Sequence, residues 1–306
     1  MSGPLISASA AAVTTLPELS PGRFLTEWQL APLPLVVTVW ATGFYLLGAA
    51  ALRRRGDRWP AGRTAAFLGG MAAFYIVTSS GLAAYDTVLL SVHMVQHMVL
   101  SMLVPLMLAL GAPVTLALRT LPTAPRRWLL AVLHSRVAKV LAFPPLAFLL
   151  YVVSPWALYF SSWYDASLES VYVHEVMHVH LVLVGALFFW PLVGVDPVPG
   201  RVGYPFRLLL IFLTLPFHAF LGVTIMGQDR LIAGEWYRSL PMRWLPDPAT
   251  DQHVAGGILW GSGDLVGLAF FAVLFVQWVR SSLREAARED RRLDRLEEQA
   301  ARRRPD

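Results

Sequence analysis

The chain of 306 residues contains no cysteine. This absence excludes disulfide bonds, thiolate metal sites, iron–sulfur clusters and cysteine nucleophiles. Charge is also scarce, because Asp, Glu, Lys and Arg together make up 15% of the residues, whereas a soluble domain has roughly 25%. Phosphate-binding loops, dinucleotide-binding glycine motifs and serine-triad patterns are missing as well. The sequence therefore gives no support to a soluble nucleotide-dependent or serine-nucleophile enzyme.

Hydrophobic residues are abundant instead, at 56% of the chain. A run of about 20 apolar residues crosses roughly 30 Å of hydrocarbon as an α-helix. Seven such runs predict an all-α membrane protein, a bundle of seven transmembrane helices. The predicted spans are about 33–52, 64–84, 88–110, 140–160, 171–190, 205–226 and 253–279. We divide the chain into an extracytoplasmic N-terminal segment (1–30), the seven-helix domain (31–280) and a charged cytoplasmic tail (281–306).

The basic residues predict how this bundle is oriented. With the N-terminus outside and the C-terminus inside, all but four of the 25 Lys and Arg residues lie on the cytoplasmic side. The four exceptions are Arg23, Arg230, Arg238 and Arg243. Cytoplasmic loops carry the excess of Lys and Arg in membrane proteins. The net charge of +5 therefore indicates membrane orientation and not a nucleic-acid partner.

Histidines gather at the predicted extracytoplasmic ends of the spans. One pair begins the third span and another begins the fifth, and i,i+4 spacing places both rings of a pair on one helix face. A single pair is also compatible with structural hydrogen bonds to a neighbouring helix. Ionisable groups are costly in a bilayer, and imidazole binds Cu, Zn, Fe and Ni, so two pairs at one depth favour a metal or haem site. The candidate ligands are His93, His97, His174, His178, His218 and His253.

Carboxylates and methionines near these histidines are candidates for supporting roles. Thioether together with imidazole favours copper, especially Cu(I), although methionine is also an ordinary packing residue. The sequence leaves three roles open for Asp264, inside the seventh span: a hydrogen bond to a histidine ligand, proton relay, or a hydrogen bond between packed helices. The supporting candidates are Asp86, Glu175, Asp251, Asp264, Met94, Met98 and Met226.

The fifth span begins with a zinc-protease pattern. His174, Glu175 and His178 match H-E-x-x-H, in which both histidines bind zinc and the glutamate activates water. No third ligand is evident from the sequence, and the second pair of histidines has no role in such a protease.

Other residues are assigned to packing and anchoring. Four glycines in the seventh span, Gly256, Gly257, Gly261 and Gly263, predict close approach of a neighbouring helix. Seven aromatic residues near the ends of spans predict an interfacial belt. They are Trp156, Tyr159, Trp163, Tyr164, Trp236, Tyr237 and Trp244.

Four motifs, in this order, resemble the CtaG family of cytochrome c oxidase assembly factors, the seven-span type of Gram-positive and actinobacterial membranes. The first is His93-Met94-Val95-Gln96-His97-Met98, followed by Pro105 and Leu110-Gly111-Ala112-Pro113. The second is His174-Glu175-Val176-Met177-His178, followed by Phe188-Phe189-Trp190-Pro191 and Gly194-Val195-Asp196-Pro197. The third is Phe217-His218-Ala219-Phe220-Leu221-Gly222, and the fourth is Asp251-Gln252 with Gly256-Gly257 and Trp260. The resemblance covers about 85–280.

The resemblance implies a multi-pass plasma-membrane protein that matures a haem–copper oxidase by delivering or inserting copper and is not an enzyme. Its implied partners are an oxidase subunit and the lipid bilayer, with no nucleic acid. The ligand candidates carried over are His93, His97, His174, His178 and His218, with Asp251 supporting; His253 lies at a position that the family does not fix. Copper is the expected cofactor, with zinc or haem as alternatives. The alternative functions are a haem-binding membrane redox protein and an intramembrane zinc metalloprotease.

Overall fold

A computed structural model describes residues 16–302, and no β-strand occurs in that range. In chain order the helices are α1 (Arg23–Thr26), α2 (Pro32–Arg54), α3 (Ala61–Ser79), α4 (Gly81–Tyr85), α5 (Leu90–Met98), α6 (Val104–Leu110), α7 (Pro113–Thr120), α8 (Thr123–Leu133), α9 (Arg136–Leu141), α10 (Pro144–Tyr159), α11 (Ser162–Glu169), α12 (Val171–Val193), α13 (Tyr204–Gly227), α14 (Gly234–Ser239) and α15 (Pro248–Arg302). A π-helical turn, Val99–Leu103, joins α5 to α6. The all-α fold class is confirmed.

Six stretches within the described residues are long and apolar enough to cross a membrane. They are Pro32–Arg54, Ala61–Tyr85, Leu90–Thr120, Val171–Val193, Tyr204–Gly227 and Pro248–Leu296. A seventh arises only if α10 and α11 count together, and these two helices are bent by 67° relative to one another. The protein is therefore a multi-pass membrane protein with six or seven spans.

The predicted fourth span, 140–160, differs most from the structure. Helix α10 has 16 residues, about 24 Å at 1.5 Å per residue, which is short of the hydrocarbon thickness. The chain turns after Tyr159 because Ser161 starts a new helix, its hydroxyl accepting a hydrogen bond from the Trp163 N–H at 3.2 Å. The bend turns the aromatic residues of α10 and α11 into the bundle.

The charged tail, whose sequence pattern is helical, continues the last helix beyond the predicted end of the seventh span at residue 279. Helix α15 continues through the charged segment to Arg302. No glycine or proline interrupts the chain between Gly267 and Pro305, and pairs such as Arg292 with Glu289, 3.3 Å apart, are of the kind that supports an exposed helix.

The π-helical turn brings the two histidine-bearing helices together. Pro105 has no N–H, so it cannot donate to the Ser101 carbonyl as a regular α-helix requires. The Val104 N–H donates to the Val99 carbonyl, five residues back. The Ser101 carbonyl lies against Gly185 of α12, where the Cβ of any other residue would overlap the carbonyl oxygen. Helix α12 can therefore approach only because residue 185 is glycine.

The glycine prediction for the last span is half right. Gly256 lies against the carbonyl of Gly222 in α13, which a Cβ would approach to 2.6 Å, and Gly263 lies against the His218 ring. Gly257 and Gly261 face open space and take no part in helix contacts. Close approach of α13 and α15 therefore depends on Gly222 and Gly256, which are buried and each face the other's carbonyl.

Asp196 fastens the opposite end of the bundle from the histidine pairs. Its side chain, 0% exposed, accepts hydrogen bonds from the N–H groups of Val114 and Thr115 at 3.2 and 2.7 Å. It also accepts from the Thr115 hydroxyl at 2.6 Å and the Trp190 indole at 2.9 Å. One carboxylate therefore links the start of α7 to the end of α12.

The predicted N-terminal segment lies only partly within the described residues, because 1–15 are outside them. Leu16, Leu19 and Phe24 pack against a small cluster around the start of α5. The Tyr85 hydroxyl donates to the Pro17 carbonyl at 2.8 Å. From residue 16 onward this segment covers the end of the bundle that carries the histidine pairs.

Candidate metal centre

Asp86, His174 and His178 form a buried group whose possible ligand atoms all lie within 4.8 Å of one another. The two histidines occupy successive turns of α12, with ring centroids 4.5 Å apart. Asp86 directly follows the short helix α4, at the point where the chain turns towards α5. We call these three residues, together with the neighbouring His93, the Asp–His centre.

Both nitrogens of His174 face oxygen atoms. Nδ1 lies 3.3 Å from the Ser167 carbonyl, and Nε2 lies 2.9 Å from Oδ2 of Asp86. A carbonyl and an ionised carboxylate both only accept, so with no metal bound Nδ1 donates to Ser167 and Nε2 donates to Asp86. A metal ion would take the place of the Nε2 proton, so Nε2 is the candidate ligand atom of His174. The Nε2 atom and the Asp86 carboxylate thus point at one place.

His178 is oriented by Gln96 of α5, which the sequence analysis quoted in a motif without assigning it a role. The Gln96 amide nitrogen donates to the Val77 carbonyl at 2.8 Å. The Gln96 oxygen is therefore free to accept from Nε2 of His178 at 3.0 Å. Nδ1 of His178 keeps its lone pair, has no hydrogen-bond partner, and lies 3.9 Å from a Glu175 carboxylate oxygen. The only sequence signal for Gln96 was its place between His93 and His97.

His93 lies beside this group and is 0% exposed. Among the described residues, neither ring nitrogen has a hydrogen-bond partner. Its ring centroid lies 6.2 Å from that of His174, 4.9 Å from Tyr164 and 6.0 Å from Tyr159. A buried polar group without a partner is costly, so an imidazole kept here indicates a ligand that the protein atoms do not supply.

Two cavities reach the Asp–His centre. One, of about 270 Å³, is lined by Asp86, His174, Glu175 and His178 and by the chain that precedes α2. A second, of about 310 Å³, is apolar and lies between α2, α6 and α12, and it also contacts Glu175 and His178. The centre is therefore buried but accessible from the end of the bundle.

The histidine pair of α5 does not stay together, although its i,i+4 spacing was expected to direct both rings into one site. His93 joins the Asp–His centre, whereas Nδ1 of His97 contacts the Tyr159 hydroxyl at 2.8 Å. Tyr159 packs against both rings. His97 instead lines a small separate cavity with His218 of α13.

The remaining polar candidates lie outside the Asp–His centre. His253 is exposed on α15. Asp251 is buried and accepts hydrogen bonds from the backbone N–H and the hydroxyl of Ser91, so it holds the start of α5 two residues before His93. Asp264 accepts from the Trp260 indole at 2.8 Å.

The three candidate methionines lie in helix interfaces. Met94 accepts a hydrogen bond from the Tyr159 hydroxyl at 3.5 Å. Met98 belongs to the main hydrophobic core. Met226 packs against Gly256, between α13 and α15.

The interpretation of the aromatic residues as an interfacial belt is wrong for three tyrosines. Tyr159, Tyr164 and Tyr237 are buried, and the hydroxyls of Tyr164 and Tyr237 are 2.6 Å apart. Burial raises the pKa of the Tyr237 phenol, so it stays neutral. The rings of Tyr159 and Tyr164 form one wall beside His93, because the bend between α10 and α11 directs them inward. The sequence analysis missed this because their spacing carries no sign of the bend.

These features define a multi-pass helical membrane protein with a buried centre of metal-ligand type. Residues 43–281 match the family described as cytochrome c oxidase caa3 assembly factor, Caa3_CtaG. The chain belongs to this family, so the resemblance drawn from the four motifs is confirmed. It is accordingly a multi-pass protein of the bacterial cell membrane.

Mycobacterial proteins are similar over most of the chain. Uncharacterized proteins of Mycobacterium bovis (Mb0105) and Mycobacterium tuberculosis (MT0111) are each 42% identical to it over 279 residues. An uncharacterized protein of Mycobacterium leprae (ML1998) is 39% identical. The matches cover 89% of this chain but 42% of each relative, so the chain spans about two-fifths of their length. No solved structure matches the chain.

Proposed function

We propose that this assembly factor binds copper at the Asp–His centre and passes it to a haem–copper oxidase subunit while that subunit's copper centre matures. The observation that carries the proposal is the buried convergence of Asp86, His174 and His178 beside the unpaired His93. Imidazole nitrogens suit copper and zinc, and one carboxylate offsets part of the ion's charge. The family assembles a copper enzyme, so of copper and zinc we infer that copper is the ion that the protein carries.

The surroundings of the centre suit transfer of a metal and not permanent storage. The cavity of about 270 Å³ leaves one side of the ligands accessible, and Asp86 belongs to a connection between helices. By the distribution of basic residues, this end of the bundle faces the extracytoplasmic side. A partner subunit can approach there without separating the helices.

Metal analysis of the purified protein tests the proposal. In detergent micelles we expect one or two copper ions per chain and no Soret band. The double variant His93→Ala/His174→Ala should bind at least one copper ion fewer per chain than the wild type, since it removes one ligand of the Asp–His centre and the unpaired histidine beside it. His253→Ala, which changes an exposed histidine, is the matched control and should bind as the wild type does. A wild-type protein that binds neither metal nor haem would contradict the proposal and indicate that assembly works through protein contacts.

Packing around His93 disfavours the haem alternative. Axial ligation by His93 and His174 requires a porphyrin plane between the two rings. Tyr159 and Tyr164 lie against His93, with ring centroids 6.0 and 4.9 Å from its own, so a macrocycle beside His93 would compete with them for space. A Soret band in the purified protein would reverse this conclusion.

Zinc proteolysis is the second candidate, and one observation favours it. The third ligand that the sequence did not reveal is present in space, because Asp86 lies 2.9 Å from His174. Glu175 lines the same cavity, where it is placed to activate a metal-bound water.

Replacing Glu175 by Gln separates the two candidates. Under the copper proposal, metal content and oxidase activity in host membranes should stay within about twofold of wild type, since a neutral isostere at this position removes no ligand. A metalloprotease would keep its metal but lose its activity. Glu169→Gln, an exposed glutamate at the end of α11, is the control. Loss of oxidase maturation with full metal content in Glu175→Gln alone would favour the protease.

A further inference from the structure

A second polar cavity lies deeper in the bundle, apart from the Asp–His centre. It is lined by His97, His218, Tyr151, Ser101 and Ser154 and by three apolar side chains. Its volume is about 10 Å³, which is the space of a single water-sized occupant. Because His93 and His97 are one helical turn apart, this inner cavity begins about 5–6 Å from the Asp–His centre.

Both histidines of the inner cavity engage Nδ1 in a hydrogen bond within the protein. Nδ1 of His97 lies 2.8 Å from the Tyr159 hydroxyl, and that hydroxyl is also within donating distance of the Met94 sulfur, at 3.5 Å. Nδ1 of His218 donates to the Thr214 carbonyl at 3.1 Å. A neutral imidazole carries one proton, so the Nε2 lone pair of His218 is free, and that of His97 is free in the tautomer in which Nδ1 donates to Tyr159. Neither Nε2 has a hydrogen-bond partner within the part of the chain that the structure describes.

Tyr151 supplies an independent sign that something occupies the cavity. Its side chain is 4% exposed, and its hydroxyl has no hydrogen-bond partner in residues 16–302, the range that the structure describes. The ring is fixed by stacking on Phe188, with centroids 4.7 Å apart, and lies 5.7 Å from the His218 ring. Burying an unpaired hydroxyl is costly, so the wall of the cavity is built for a polar occupant.

The charge of the lining selects the kind of occupant. The lining holds imidazoles and hydroxyls and no carboxylate. The cost of burying an ion rises with the square of its charge, and among the described residues no carboxylate lines the cavity to offset that cost, although Asp264 lies near His218. Two imidazole nitrogens bind soft transition-metal ions. The only ion that satisfies both conditions and is the cargo of the proposed function is Cu(I).

We propose that the inner cavity is a second copper position, which holds one Cu(I) ion between Nε2 of His97 and Nε2 of His218. This inference rests on the proposed function, because it makes the Asp–His centre the first of two neighbouring copper positions. The Asp–His centre, which contains a carboxylate, also accepts divalent ions, whereas the inner position does not.

Counting Cu(I) in the full-length protein tests the inference. The protein in detergent micelles is loaded anaerobically with Cu(I) and titrated against a chromophoric Cu(I) chelator. We expect two Cu(I) ions per chain in the wild type and one in His218→Ala. His178→Ala should also retain one, and the double variant none. His253→Ala should retain two.

Two measurements do not depend on the folding of a histidine variant. The unmutated protein should release Cu(I) in two distinguishable steps. Tyr151→Phe, which keeps the ring and its stacking, should weaken one of these steps by about tenfold, as loss of a group beside a metal typically does.

Zn(II) content should be the same in His218→Ala and the wild type.

The outcomes separate this inference from the proposed function. The wild type could bind a single Cu(I) ion that is lost in His178→Ala and kept in His218→Ala. That result overturns the inner copper position and leaves the proposed function standing. Absence of copper from the wild type overturns both. Loss of Zn(II) in His218→Ala contradicts the restriction to a monovalent ion.

Discussion

Asp86→Asn is expected to lower the affinity of the purified protein for Cu(II) by about a hundredfold, which corresponds to roughly 2.7 kcal/mol. Asparagine has nearly the same shape, so the change removes a negative charge and little else. Asp86 is 2% exposed and lies 2.9 Å from the ligand nitrogen of His174. Within the part of the chain that the structure describes, Asp86 supplies the one carboxylate of the buried group of candidate ligands. Competition titration with a Cu(II) chelator measures the effect.

The matched control is Asp165→Asn. Asp165 is exposed in the first turn of α11, near the same end of the bundle, and its replacement should leave the affinity unchanged. In a host that lacks its own copy of the gene, Asp86→Asn should also fail to restore oxidase activity in the membrane. Equal affinities of Asp86→Asn and the wild type would show that Asp86 is no metal ligand.

Asp196→Ala is expected to reduce the free energy of unfolding by about 3–5 kcal/mol, the usual cost of breaking a buried, hydrogen-bonded charge network. The carboxylate accepts from Val114, Thr115 and Trp190. Without it, buried donors lose their acceptor, and each unsatisfied donor costs about 1–3 kcal/mol. Unfolding in mixed micelles with increasing SDS measures the loss.

Asp57→Ala is the control for Asp196. Asp57 pairs with Arg119 at 3.5 Å, with both side chains substantially exposed, and such pairs contribute about 0–1 kcal/mol. Copper content per folded chain should be unchanged in Asp196→Ala, because Asp196 lies at the other end of the bundle. A stability equal to that of Asp57→Ala would show that water replaces the carboxylate.

The sequence predicted part of the geometry of the Asp–His centre, but not which residues compose it. The spacing of His174 and His178 predicts two rings on one face, and the structure has them 4.5 Å apart. The spacing of His93 and His97 carries the same prediction, yet Tyr159 separates the two rings. That separation depends on a side chain from another helix, which periodicity within α5 does not report. Gln96 was missed for the same reason, since its partners lie on α3 and α12.

The fold was predictable wherever one apolar run makes one helix. The spans at 171–190 and 205–226 correspond to α12 and α13 within a few residues. At 140–160 hydropathy indicated one continuous span, whereas the structure has the 16-residue α10 followed by the bent helix α11, because a window average does not detect the helix start that Ser161 creates. The polar tail after residue 279 is helical in pattern and continues α15, although hydropathy alone carries no sign of this. Average hydrophobicity reports which residues prefer lipid, whereas helix starts and ends depend on individual hydrogen bonds.

The π-helical turn at Val99–Leu103 has a consequence for how related sequences are compared. It is equivalent to one residue inserted into an otherwise regular α-helix. A relative lacking that residue would have each later side chain of the third span rotated by about 100°, and Gly185 would face a different backbone atom. A gap of one position in an alignment of this segment therefore marks a different contact between two helices, not a harmless change in length.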